Sequence, residues 1–521
     1  MGRTGYIKED FVTTYSSPQS GSDKRLSLVF GDKVEILESS DGWTKLRCLD
    51  SYDSGIRYVK GTLSLSQKGC LKISMVDVQQ GDGLIVETPE GKIVFVDGGD
   101  NKLFARHAAA RYQYKESTPD SPMEVDAIII THGDADHFEG LNELVNAETH
   151  RTKRKRIAIQ PKRIYHNGLV KSPQRKNGKT IPDSKRLGTT KIQDGTRYII
   201  DLFDDTREAS PDQTNSSFEK WHASLDHWEA RAQEPMRIAR IAHGMDTTDF
   251  FDFLAEEDIH VDLLGPFTDQ VTFRGKEYEG LPFLHAHADT PMLHLEEEGA
   301  HGSESASHTI NGHSLAFRLQ FGNIRMLFTG DLNKEALDRM LERVGDPSKL
   351  KCEILKAPHH GSHDFAVKAL KTAAPVISIV SSGDQDAFHE YIHPRATLMS
   401  ALGNSSRNDM GILFSTELAA FFTYRKECFT RDALADFFKN APKDNYTKEE
   451  LKQMFTGKPR KEDPAGMFHG FERTNFGIIH LRTDGTRLLA FTHSGKAGLN
   501  EAYSYTVDSL HRVRANTIKK R

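Results

Sequence analysis

Thr131-His132-Gly133-Asp134-Ala135-Asp136-His137 is the stretch on which the reading of this chain turns. It follows Val125 to Ile130, a nearly continuous apolar run of the kind that forms a strand buried on both faces. It precedes Glu139 to Val145, which reads as the start of a helix. Two imidazoles and two carboxylates thus fall on one strand-to-loop junction. Alternate residues of such a loop can aim at a common point without the fixed spacing of a helix. Neutral imidazole and carboxylate oxygen are good ligands for zinc or manganese. One histidine here would pass as structural. Clustered carboxylates, however, repel once desolvated unless a cation neutralises them, so the pattern points to a metal site.

Outward from this loop, further stretches carry chemistry in a fixed order. They are Val76-Asp77-Val78-Gln79-Gln80-Gly81-Asp82, Val96-Asp97-Gly98-Gly99, Leu327-Phe328-Thr329-Gly330-Asp331-Leu332, Leu355-Lys356-Ala357-Pro358-His359-His360-Gly361-Ser362, and His393-Pro394. Together with 131–137 they resemble the metallo-β-lactamase superfamily. The H-x-D-x-D-H form, with Asp134 in place of a second histidine, is similar to the hydrolase domain of ComEC-like DNA-uptake proteins. The resemblance spans residues 70 to 400 and a hairpin at 476 to 492.

The resemblance implies an α/β fold, an αββα sandwich, holding two divalent metal ions, zinc or alternatively manganese. His132 and Asp134 would hold the first ion, Asp136 and His137 the second, and Asp331 would bridge both. His359 or His360 would complete the second site, the other being free to contact a substrate oxygen. The first ion's third ligand is usually a histidine before the Gly330-Asp331 strand. Asn311-Gly312-His313-Ser314 has that form, which assigns His313, with His166 as competitor. ComEC-like proteins often lack this histidine, so the chain departs from them here. Asp97 is expected to hydrogen-bond a ligand or its loop, with Asp82 in a comparable role. Hydroxide held between the ions would attack phosphorus or a carbonyl carbon. Asp136 would orient it, and His359, His360 or His393 would protonate or stabilise the leaving group.

The chain of 521 residues has room for two or three domains, and its 37% hydrophobic and 27% charged residues are an ordinary globular composition. Residues 1–66 read as a small all-β barrel. Leu26 to Phe30, Val34 to Leu37, Asp41-Gly42-Trp43 and Tyr58 to Gly61 resemble bacterial Src-homology-3-like domains. Such a barrel either takes a peptide or protein ligand or only positions its neighbour. Residues 70–410 are expected to form the hydrolase domain, with its later strands at Val261 to Leu264, Ser314 to Phe321, Arg325 to Phe328 and Pro375 to Val380 and a helix at Lys334 to Val344. A long polar loop is expected at 284–313, a helical insertion at 411–470, and completing strands with a basic tail at 471–521. No apolar run approaches the ~20 residues of a membrane helix. The start carries no apolar secretory core, and the four cysteines lack paired spacing. These features lead to the expectation of a cytoplasmic protein without membrane partners.

Residues 151–191 are strongly basic, with Asp183 the lone acid. Lys153, Arg154, Lys155, Arg156 and, near the cleft, His166 are the candidate substrate contacts. A basic stretch close to a two-metal loop suits a phosphodiester backbone, so a nuclease or other phosphodiesterase acting on DNA or RNA is the leading expectation. Few aromatic residues interleave the cations, so base stacking is not suggested. A small-molecule hydrolase of a lactone, thioester, β-lactam or phosphate ester would need the same metals without a basic groove. A non-catalytic binding or scaffold protein would need no metal.

Overall fold

The structure, a computed structural model, describes residues 2–51, 55–286, 303–383, 393–407, 411–416, 447, 477–493 and 501–520. Short apolar runs become strands whose every side chain is buried, as in Leu84–Glu87, Ile93–Val96, Ala127–Ile129, Ile354–Lys356 and Ile377–Val380. A strand buried on both faces needs cover on each side, supplied here by the opposite sheet on one side and by helices on the other.

One ten-stranded sheet runs from Arg237–Arg240 through Arg163–His166, Ala127–Ile129, Ile93–Val96, Leu84–Glu87 and Leu71–Met75. It continues through Ile478–Thr483, Arg487–His493 and Ala502–Val507 to Val513–Asn516. A six-stranded sheet runs from Ile259–Gly265 through Ala316–Phe321, Ile324–Phe328, Ile354–Lys356 and Ile377–Val380 to Ile412–Ser415. In both, hairpin-linked antiparallel strands adjoin parallel ones. The inner faces share one apolar core, Ile73, Val86, Val94 and Ile129 from one sheet meeting Leu263, Phe317, Met326 and Ile379 from the other. The outer face of the first sheet packs Phe95 and Ile128 on helices Leu103–Arg111 and Ser216–Arg231. The second packs Leu327, Leu355 and Val380 on helices Lys334–Arg343, Val367–Ala373 and Ala396–Ser405.

The amino-terminal segment is an antiparallel seven-stranded sheet in the order Lys24–Val29, Phe11–Tyr15, Ile56–Lys60, Trp43–Cys48, Lys33–Ser40, Arg3–Ile7, Leu65–Ser66. It has its own core of Ile7, Val12, Leu28, Val34, Leu46 and Val59. It also shares side chains with the ten-stranded sheet, Phe30 packing with Cys70, Leu489 and Phe491.

Three expectations shift. The polar stretch at 284–313 is not all loop, because Ala306–Gly312 is a helix whose Ser305 side chain accepts from His308 N and which buries Ala306, Thr309 and Ile310. Isolated polar composition hid a capped helix held by its apolar face. The stretch taken to open a helical insertion begins instead with the strand Ile412–Ser415, paired parallel to Ile377–Val380; residues 417–446 and 448–476 lie outside the described residues. The helix expected from Glu139 is present as the 3-10 turn Glu139–Asn142 and the helix Glu143–Ala147, but a further short helix, Ala135–Phe138, precedes it and begins inside the metal-ligand motif. Among the described residues no helix is long and apolar enough to cross a membrane.

Candidate metal centre

The loops that leave the two sheets at one end meet. Ala127–Ile129 feeds Thr131 to His137, Ile324–Phe328 feeds Asp331, and Ile354–Lys356 feeds His359 and His360. Gly81 allows the close approach of the Asp82 loop, since a Cβ there would sit 1.6 Å from Asp136 O.

Asp82, His137, Asp331 and His360 present one ligand atom each within 4.8 Å of one another, all buried. His137 Nε2 and His360 Nε2 lie 3.2 Å apart and 3.2 and 3.0 Å from Asp331 Oδ2. The far nitrogen of each ring faces a buried carboxylate, His137 Nδ1 at 2.8 Å from Asp97 Oδ2 and His360 Nδ1 at 3.3 Å from Asp82 Oδ1. A carboxylate behind a ring fixes its tautomer and sends the lone pair of the other nitrogen forward. Asp136 Oδ2 joins at 3.6 Å from His360 Nε2 and accepts from Gln80 Nε2 at 3.1 Å.

Beside this group His132 turns Nδ1 toward the hydroxyls of Thr131 and Ser314, both at 3.2 Å. Its Nε2 lies 3.3 Å, and Asp134 Oδ2 2.9 Å, from one end of the Asn311 amide, whose other end is 3.3 Å from His359 Nε2. The amide orientation is assigned from its network. That network turns the amide nitrogen inward, where it donates to His132 Nε2, Asp134 Oδ2 and, at 3.0 Å, Ser307 O, while its oxygen accepts from His359 Nε2. Asp134 Oδ1 is held at 2.5 Å by Lys171 Nζ, which also donates to Ser307 Oγ.

The electrostatics favour positive charge among these donors. Burial alone would lower both imidazoles, yet Asp331 and Asp97 carry His137 well above its usual range. Asp331 and Asp82 likewise lift His360 to about 10. Protons thereby stand where positive charge is called for. Burial and the neighbouring His137 push His132 well below the usual value, which leaves it a neutral ligand. Asp331 Oδ1 is buried without a hydrogen-bond partner. These donors, imidazole and carboxylate with each ring backed by a carboxylate, fit divalent zinc or manganese.

Of the residues named from sequence, His132, Asp134, Asp136, His137, Asp331, His359 and His360 converge here, with Asp97 and Asp82 behind them. His313 does not: its buried ring donates Nε2 to Pro282 O at 2.7 Å, and Asn311, two residues earlier, faces the gap instead. A helix ending at Gly312 turns successive side chains about 100° apart, so the ring and the amide cannot both point inward. His166 is also a buried strand residue, its Nδ1 accepting from Gly168 N at 3.0 Å. His393 is buried with its ring centroid 6.1 Å from that of His359. Lys153 pairs with Glu116, Arg156 donates to His150 O and Arg151 O, Lys155 shares their turn, and Arg154 lines a cavity between the amino-terminal unit and the ten-stranded sheet. That places Arg154 toward the amino-terminal sheet rather than among the metal-facing residues.

Sequence reasoning missed three residues. Lys356 is buried, pairs with Asp82 and donates to Gly330 O at 2.9 Å. A lysine inside Ile354-Leu355-Lys356-Ala357 was a signal, because a cation in an apolar strand needs a carboxylate. Asn311 stood in a quoted motif beside the histidine that was chosen. Lys171 carried no signal separating it from the basic run around it.

Residues 76–197 match the family model described as Metallo-beta-lactamase superfamily. No curated protein matches the chain.

Proposed function

We propose, taking a metallo-β-lactamase superfamily domain as the premise, that this chain is a two-metal hydrolase of αββα layering that cleaves phosphodiesters, with DNA or RNA as substrate. The observation that carries the hydrolase reading is the pair of imidazoles, His137 and His360, aimed at one carboxylate of Asp331 with Asp97 and Asp82 behind them. Divalent ions bound there supply Lewis acidity and an activated water.

The chain's own residues divide the remaining work. Asp331 faces His137 and His360 directly and would serve the half-site of His132 and Asp134 as well as that of Asp136, His137 and His360. Gln80 fixes the rotation of Asp136. His359, with its side chain 24% exposed, is the imidazole that an incoming substrate meets. Burial, then the neighbouring imidazoles of His360 and His359, lower His393 to about 3, so it is neutral at pH 7 and suited to hydrogen bonding rather than to delivering a proton from imidazolium. Arg175 and Lys179 stand exposed on the hairpin after Lys171, where a phosphate backbone would find positive charge. The amino-terminal unit, read as a Src-homology-3-like barrel, would take a peptide or hold the hydrolase domain in place.

The test is cleavage of single- and double-stranded DNA, RNA and bis(p-nitrophenyl) phosphate by protein stripped with a chelator and reloaded with Zn²⁺ or Mn²⁺. Metal-dependent cleavage that falls at least about a hundredfold in Asp331→Asn is expected. Turnover of lactone or thioester with every phosphodiester untouched would overturn the phosphodiesterase reading.

A further inference from the structure

We infer that the two half-sites bind their ions unequally: the half-site of Asp136, His137 and His360 is tight, and that of His132, Asp134 and Asn311 is weak and exchangeable. This rests on the two-ion reading above and concerns what the chain builds behind each donor.

On the first side both imidazoles are backed by carboxylates, Asp97 at 2.8 Å and Asp82 at 3.3 Å. Negative charge behind a ring raises the basicity of its forward nitrogen. Asp136 is steadied by the neutral amide of Gln80, so its charge stays available. On the second side the backing is reversed in sign. Asp134 gives one oxygen to the Lys171 ammonium at 2.5 Å, and that side chain is only 10% exposed, so little solvent screens it. A carboxylate already paired with a cation donates less to another. His132 is backed only by the hydroxyls of Thr131 and Ser314. The remaining neighbour is the uncharged Asn311 amide, in the place where an imidazole was expected, because His313 is committed to Pro282 O; its nitrogen faces His132 and Asp134, so its oxygen would have to turn inward before it could ligate. Lys356 does not even out the difference. Its ammonium sits on Asp82 and 3.7 Å from Asp331 Oδ1, a carboxylate that both half-sites share, and Asp97 remains behind His137.

The experiment is calorimetric titration of the chelator-stripped full chain with Zn²⁺, with elemental analysis after desalting. One ion per chain is expected to survive desalting, with a second binding step weaker by at least about tenfold. Lys171→Met and, separately, Asn311→His are each expected to tighten the weaker step by about tenfold while leaving the tight step in place. Asp97→Asn should weaken the tight step instead. Two indistinguishable steps overturn the inference. So does a weak step that ignores both Lys171→Met and Asn311→His in variants whose circular dichroism matches the parent. Absence of any bound ion overturns the two-ion reading itself, a result separate from equal binding.

Discussion

Backbone at His359 and His360 is left-handed, with φ of 46° and 49°. Each such residue costs on the order of 1 kcal/mol and persists where its surroundings over-determine it. The turn sets the two rings 71° apart in plane, so neighbours in sequence face different atoms. His360 is buried against Asp331 and Asp82, whereas His359 meets the Asn311 amide at the rim. His360→Ala is therefore expected to lower retained metal, and His359→Ala to keep the ions while lowering kcat, as read by elemental analysis beside turnover. Which histidine did which was illegible in sequence, since identical residues at adjacent positions carry no orientation until a backbone is given. His166 offers a second residue-scale outcome. Burial holds its pKa at about 4 against an ordinary 6.5, and its Nδ1 accepts a hydrogen bond that only the neutral ring can make. The unfolded chain takes up this proton first as pH falls, so the contribution of His166 is whole above pH 6.5 and is lost progressively toward pH 4. The slope is about 1.4 kcal/mol per pH unit in that window. Urea unfolding at pH 7, 5.5 and 4.5 should show a shallower acid loss in His166→Gln than in the parent.

At the scale of elements, the helix Lys334–Arg343 begins three residues beyond Asp331 and is capped by Asn333, whose Oδ1 accepts from Ala336 N at 3.1 Å. Its Nδ2 donates to His308 O at 2.8 Å, which ties this helix to Ala306–Gly312, the helix that carries Asn311. One buried side chain thus sets the start of one helix and its distance from another. Asn333→Ala is expected to cost about 1–2 kcal/mol in chemical unfolding and to weaken metal binding without removing a ligand. The strand Ile93–Val96 was legible because an uninterrupted β-branched and aromatic run has few other uses. The helix Ala306–Gly312 was not, because its polar residues show no period and its stability comes from Leu284 and Asn333 packed beside Gly312. Ser216–Arg231 went unread although Phe218, Trp221, Leu225 and Trp228 mark one face at helical spacing.

At the scale of the whole molecule, the amino-terminal unit was expected to be separate, and it has its own core. Yet Asp32 pairs with Arg482, Asp10 with Arg487, and Asp50 with the buried Lys72, while Phe11 stacks edge-on against Phe491. Partners this distant in the chain leave no trace in local pattern. Deleting residues 1–66 would take Asp50 from the buried Lys72, leaving it Glu87, and uncover Phe491 and Leu489. A melting temperature lower by more than about 5 °C is expected in differential scanning calorimetry. The donors at the far end of the molecule carry a different consequence. His132 and His137 leave one sheet, Asp331 and His360 the other. An ion seated among them is a hasp across a seam, and it can close only when both halves have docked in register. Occupancy would then certify assembly: a misfolded copy could not arm itself, and a chelator is expected to loosen the shape of the protein as well as to strip its ions.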